Sequence, residues 1–267
     1  MKLFALLILS AAALPAQDPA VIADIDEAFR LAGVRTMLTS LPSHVTQMTS
    51  AAVAQFPNDQ RRQFEPMIKE VSRKFLDPDS YYRQMRAYFV KHYDAGRMNT
   101  FLALERTPVY RTMHRLEEAA DTEADEGARR RFENNLRSDP PTRKRILTMQ
   151  RLDDAGNMTG LQVRMVIAVV NSMSAGLGAQ MPPDLEAQST AFTAKIRPIL
   201  ANNILHQNLF AYRNTDDAEL EDYVSAAEQP DVAWFNKNLQ SAMLAVAGDR
   251  AGKAAEAIKI KVSQTLN

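Results

Sequence analysis

Apolar residues recur along this chain at helical spacing. Phe64, Met67, Ile68, Val71 and Phe75 fall at i, i+3, i+4, i+7 and i+11, one face of a helix. Arg61, Arg62, Lys69, Glu70, Arg73 and Lys74 lie mostly on the other side. Met85, Tyr88, Phe89 and His92 continue the pattern in the next segment. No sustained apolar–polar alternation appears, and no Asn-Gly or Asp-Gly hairpin signal, so no strand is expected. Helix starts are marked by Asp77-Pro78, Thr107-Pro108 and Gln229-Pro230, where proline takes a first helical position that needs no N–H donor. Asp77 and Thr107 offer side-chain oxygens as caps. Thr215, followed by Asp216, Asp217 and Glu219, marks another start, with acids facing the positive end of the helix dipole. Gly33, Gly96, Gly156 and Gly248 lie where the periodic patterns stop. The pattern predicts an all-α helical bundle of about nine to twelve helices after residue 18.

The first residues depart from this pattern. MKLFALLILSAAALPA places one base, Lys2, before an unbroken run of apolar and small residues, and polar Gln17 and Asp18 follow. That is the layout of a secretory signal peptide over 1–16, with cleavage expected after Ala16. The run is shorter than the roughly 20 residues of a membrane span. The expected location is the periplasm or the exterior of a bacterium, and the chain is not expected to be an integral membrane protein.

The two halves echo each other. Met98, Phe101 and Leu102 lie over Leu220, Tyr223 and Val224, and seven residues past each aromatic stands a proline, Pro108 and Pro230. Tyr93 and Tyr212 precede the two short helices. Leu31 to Thr36 aligns with Asp154 to Thr159, pairing Gly33 with Gly156. Matches at a nearly constant offset point to duplication of one helical unit. The seam is Ser138-Asp139-Pro140-Pro141, because paired prolines stop a helix, which gives helical unit 1 at 18–139 and helical unit 2 at 142–267.

The second half resembles the exported bacterial family called domain of unknown function 2059. The resemblance rests on Tyr212, Thr215, Glu219, Leu220, Tyr223, Pro230 and Trp234: an aromatic residue, a Thr-to-Glu-Leu helix start and a proline turn into a long helix. The first half keeps Thr107 and Pro108 but replaces the Thr-to-Leu start with Asp94 to Met98. The resemblance implies a small helical unit and an exported location, and no established chemistry.

Composition narrows the functions open to such a chain. There is no cysteine, so disulfide frameworks, thiol catalysis and zinc fingers are excluded. Lys and Arg number 32 against 32 Asp and Glu, which gives no global attraction to nucleic acid. Zero net charge hides a local division. Residues 117–126 hold acids and no base, whereas 129–151 are strongly basic, with Arg129, Arg130, Arg131 and Arg137 forming a possible patch for anionic lipid or cell-wall polymers. The plainer account is a solvated helix with Asp125–Arg129, Glu126–Arg130 and Glu133–Arg137 as i, i+4 pairs.

Catalytic patterns are missing. There is no P-loop, Gly-x-Ser-x-Gly, Ser-x-x-Lys or His-Glu-x-x-His. Asp121 to Gly127 fails as a calcium loop because its glycine falls at the seventh position and Phe132 stands at the twelfth. The remaining candidates are His92, Asp94, His114 and Glu118, with His114 and Glu118 as i, i+4 neighbours. No cofactor is expected. The expected function is a non-enzymatic envelope module that binds an envelope protein or a small apolar ligand, with a crevice between the units as the place for it. The alternatives are a periplasmic hydrolase or metal-dependent enzyme using those four residues, and a structural envelope factor that binds a protein partner.

Overall fold

A computed structural model of the chain describes residues 18–39, 77–122, 126–176 and 185–265. The signal peptide and the 61–75 pattern lie outside these residues. All regular structure among the described residues is helical: α1 (Pro19–Leu31), α2 (Pro78–Lys91), α3 (Ala95–Glu105), α4 (Pro108–Thr122), α5 (Glu126–Ser138), α6 (Arg143–Gly156), α7 (Met158–Gly176), α8 (Leu185–Ala211), α9 (Asp217–Ala227) and α10 (Pro230–Thr265). A further helical stretch occupies 34–39. None of the described helices is long and apolar enough to cross a membrane.

The caps follow the sequence closely. Asp18 accepts from the Ala20 N–H, Asp77 from Ser80, Asp94 from Arg97 and Thr142 from Arg145. Each satisfies a donor that the first helical turn leaves free. Thr107 Oγ1 stands 3.4 Å from the Tyr110 N–H at the start of α4. The cap of α9 is Asp216. Its Oδ1 accepts from Ala218 and Glu219, while the Thr215 hydroxyl is buried without a partner.

Two hydrophobic clusters form the core, and each draws on both halves of the chain. The first joins Ile25, Phe29, Met85, Phe89, Phe101 and Leu102 to Val232, Phe235, Ala242 and Met243 of α10. Four rings meet at its centre. Phe29 and Phe89 pack edge to face at 4.9 Å, Phe89 lies 5.3 Å from Phe235, and Phe101 stacks on Phe235 at 3.8 Å. Such ring pairs add about 0.5–1.5 kcal/mol each beyond the area they bury. The second cluster joins Tyr110 and Met113 of α4 to Met149, Leu209, Tyr212, Leu220 and Tyr223. The long helix after each proline turn therefore reaches into the other half: α10 packs on α7 of its own half and also completes the first cluster, and α4 completes the second.

Local construction repeats across the halves. α3 and α9 are each 11 residues long, start from an aspartate cap, and end one residue before an ion pair to a distant helix. Arg106 forks Glu27 of α1 at 3.2 and 2.8 Å, whereas Glu228 receives the fork of Arg151 from α6 at 2.8 and 2.7 Å. The contact is the same with the charges exchanged. Burial matches at Met98 and Leu220, Phe101 and Tyr223, and Leu102 and Val224. The corners after α1 and α6 each hold one left-handed residue. Gly33 has φ +62° at the first, and Asn157, next to Gly156, has φ 48° at the second. Asparagine tolerates the left-handed region because its short side chain bonds locally.

Candidate functional site

Titratable groups converge where α4 meets the second cluster. Glu105, the last residue of α3, is buried despite its charge. Its Oε2 lies 2.8 Å from His114 Nε2. His114, two turns into α4, faces Glu117 on its other side, Nδ1 to Oε2 at 2.9 Å. Glu117 then reaches across to the second half. Its Oε1 accepts from the Tyr223 hydroxyl at 3.0 Å and also from the Tyr212 hydroxyl. Tyr110 packs beside them, its ring 5.1 Å from Tyr223, with its hydroxyl buried and without a partner.

The electrostatics favour a fixed charge on the imidazole. Burial opposes protonation of His114, but the hydrogen bonds and charges of Glu105 and Glu117 outweigh it and push its pKa up to about 10. Burial also opposes the charge on Glu117. His114 and the two tyrosine hydroxyls outweigh that cost and hold its carboxyl below the ordinary range. Tyr212 and Tyr223 are driven well above the usual phenol value, by burial first and by the Glu117 charge second. Near neutral pH the ring is an imidazolium held between carboxylates, with both nitrogens engaged. It has no lone pair for a proton or a metal ion.

This arrangement has a pH signature. His114 is held above its ordinary value of 6.5, so its contribution is complete below that pH and fades as pH rises toward about 10. Glu117 is held below 4.5, so its contribution is complete above that pH and fades on acidification. Urea midpoints measured across pH are expected to be highest between these limits and to fall on the alkaline side before the tyrosines titrate. A midpoint that rises between pH 7 and 9 would contradict the charged ring.

The other candidates from the sequence are placed elsewhere. His92 is exposed, bonds the Tyr88 carbonyl through Nδ1 at 2.8 Å and stacks on the Tyr88 ring. Asp94 serves as the cap of α3. His114 pairs with Glu117 at i+3, and Glu118 is exposed on a neighbouring face. Among the described residues no group of three or more His, Cys, Asp or Glu side chains could hold a metal ion. The basic stretch is divided between tasks. Arg129 donates to the Ala120 carbonyl and lies over the Phe210 ring at 5.2 Å, which ties α5 down. Arg145 is largely buried, donates to the Tyr212 and Thr215 carbonyls and pairs with Asp217, fixing the loop before α9. Arg130, Arg131 and Arg137 remain exposed on α5.

Periodicity did not point to Glu105 and Glu117. The available signals were a histidine with acids at i+3 and nine residues upstream, and the tyrosines at 212 and 223. The same tyrosines carry the family resemblance of the second half, and both donate to Glu117.

Three open cavities among the described residues are walled mainly by polar side chains. One of about 420 Å³ lies beside Asp26, Arg30, Arg35, Asp79, Arg83 and Arg86. Two others, of about 330 and 460 Å³, flank Asn157. The His114 cluster lines none of them. No protein-family model, curated protein or solved structure matches the chain.

Proposed function

We propose that this chain is an exported bacterial envelope protein that acts by binding rather than catalysis. It would consist of two related helical units of the kind found in domain of unknown function 2059. The observation that carries this reading is the closure of the His114 cluster. An acid–base catalyst needs a titratable group whose proton is exchangeable near the working pH and which can reach a substrate. His114 has both nitrogens occupied by Glu105 and Glu117, and Glu117 is filled by Tyr212 and Tyr223. The groups satisfy one another and join the halves. The matched caps, the exchanged ion pairs and the left-handed residues at Gly33 and Asn157 support duplication. The layout of residues 1–16 supports export.

The test is turnover. The chain without residues 1–16 is assayed with ester, phosphoester, glycoside and peptide substrates, beside His114→Gln. No turnover that depends on His114 is expected. Hydrolysis that His114→Gln abolishes, with the helical circular dichroism unchanged, would overturn the reading.

A further inference from the structure

An open cavity of about 330 Å³ lies between the α6–α7 corner and α10. Its size falls within the roughly 300–1,000 Å³ of small-molecule sites. Arg164 and Lys237 stand on its wall, and no carboxylate does. Neither makes an ion pair among the described residues, so two solvent-facing cations stand on the wall of one cavity without a carboxylate. The cavity on the other side of Asn157 contrasts with it, since Asp153 and Asp154 line that one.

The wall is also held in place. Gln240 is buried, and its Oε1 accepts from Asn157 Nδ2 at 2.9 Å and from Arg164 Nη2 at 2.8 Å. Its amide nitrogen donates to the Gly156 carbonyl. One buried amide thus fixes both the guanidinium and the left-handed Asn157. Gly160 makes this possible, because a Cβ there would come within 2.2 Å of Asn157 Oδ1. The guanidinium keeps further N–H donors beyond the one given to Gln240, in the planar fork that suits a carboxylate or phosphate. Asn236 and Ser241 add neutral donors and acceptors to the same wall, and Leu244 adds an apolar surface.

We propose that this cavity binds a small hydroxylated ligand carrying one oxyanion group, a carboxylate or a phosphate. Arg164 and Lys237 take the oxyanion, and Asn236 and Ser241 take hydroxyls. The assignment rests on the reading of the chain as a binding module, and it names the ligand class.

The test is calorimetric titration of the chain without residues 1–16, at low salt, with glucose 6-phosphate, glucuronate, inorganic phosphate and glucose. At least one of the two sugar anions is expected to bind about tenfold or more tightly than glucose and than inorganic phosphate. The stronger of the two identifies the oxyanion. Arg164→Gln and Lys237→Gln are each expected to weaken it about tenfold, and Arg137→Gln, an exposed arginine outside the cavity, to leave it unchanged. Amide shifts at Asn236 and Gln240 on addition of the sugar anion locate the site without any substitution. Sugar anions that bind no better than glucose would overturn the proposal. So would inorganic phosphate binding as well as they do, equal losses in Arg137→Gln, or shifts confined to other residues. Such a failure removes the ligand assignment alone, whereas only turnover dependent on His114 removes the non-enzymatic reading.

Discussion

His114→Ala is expected to destabilise the fold by about 3–5 kcal/mol, the cost of removing one partner from a buried ion pair. The loss exceeds that of a surface pair because Glu105 stays behind, buried, with its carboxylate facing the space the ring leaves. Glu117 keeps its two tyrosine donors but loses its positive neighbour. Denaturant unfolding near pH 6 measures the effect, since the wild-type contribution is complete there. His114→Gln is expected to cost less, because an amide can still donate to one carboxylate. The variant should also lose the alkaline fall in stability expected between about pH 7 and 10, which belongs to this ring. A His114→Ala protein within about 1 kcal/mol of wild type would mean that the pair recovers little more than its desolvation cost.

Phe235→Ala is the second large effect, about 3–5 kcal/mol from lost burial and an unfilled cavity. Phe235 is 1% exposed and touches three other rings, with Phe101 stacked on it at 3.8 Å. Those three rings lie on α1, α2 and α3, so the substitution on α10 removes the centre of the first half's core. Phe235→Leu keeps most of the volume and is expected to cost less. Equilibrium unfolding of both variants separates the two contributions. Equal losses would place the effect outside the ring stack.

How far the sequence leads differs between local and distant structure. Helix starts at Pro78, Pro108 and Pro230 are legible because capping and proline geometry act within one turn. Within the start marked by Thr215 to Glu219, threonine and aspartate both cap well, and only the backbone selects Asp216. At the corner after α6 the left-handed position falls on Asn157 beside Gly156, although glycine is the usual signal for such a turn. The reach of α4 and α10 into the opposite halves was not legible. Periodicity shows that a helix has an apolar face, not which face it meets. His114 was legible as a candidate, but its partners were not. Glu117 and Glu118 sit one step apart on the helix, and only the position of Glu105 and the two tyrosines selects the first.

The interlocked core predicts that the halves unfold together. Trp234, the single tryptophan, packs against the first cluster, whereas His114 adjoins the second. Urea unfolding of His114→Ala, followed by Trp234 fluorescence and by far-ultraviolet circular dichroism, tests this directly. The two signals are expected to coincide, with both midpoints lowered by the same amount. A Trp234 transition that stays at the wild-type midpoint while the circular dichroism splits into two steps would contradict it.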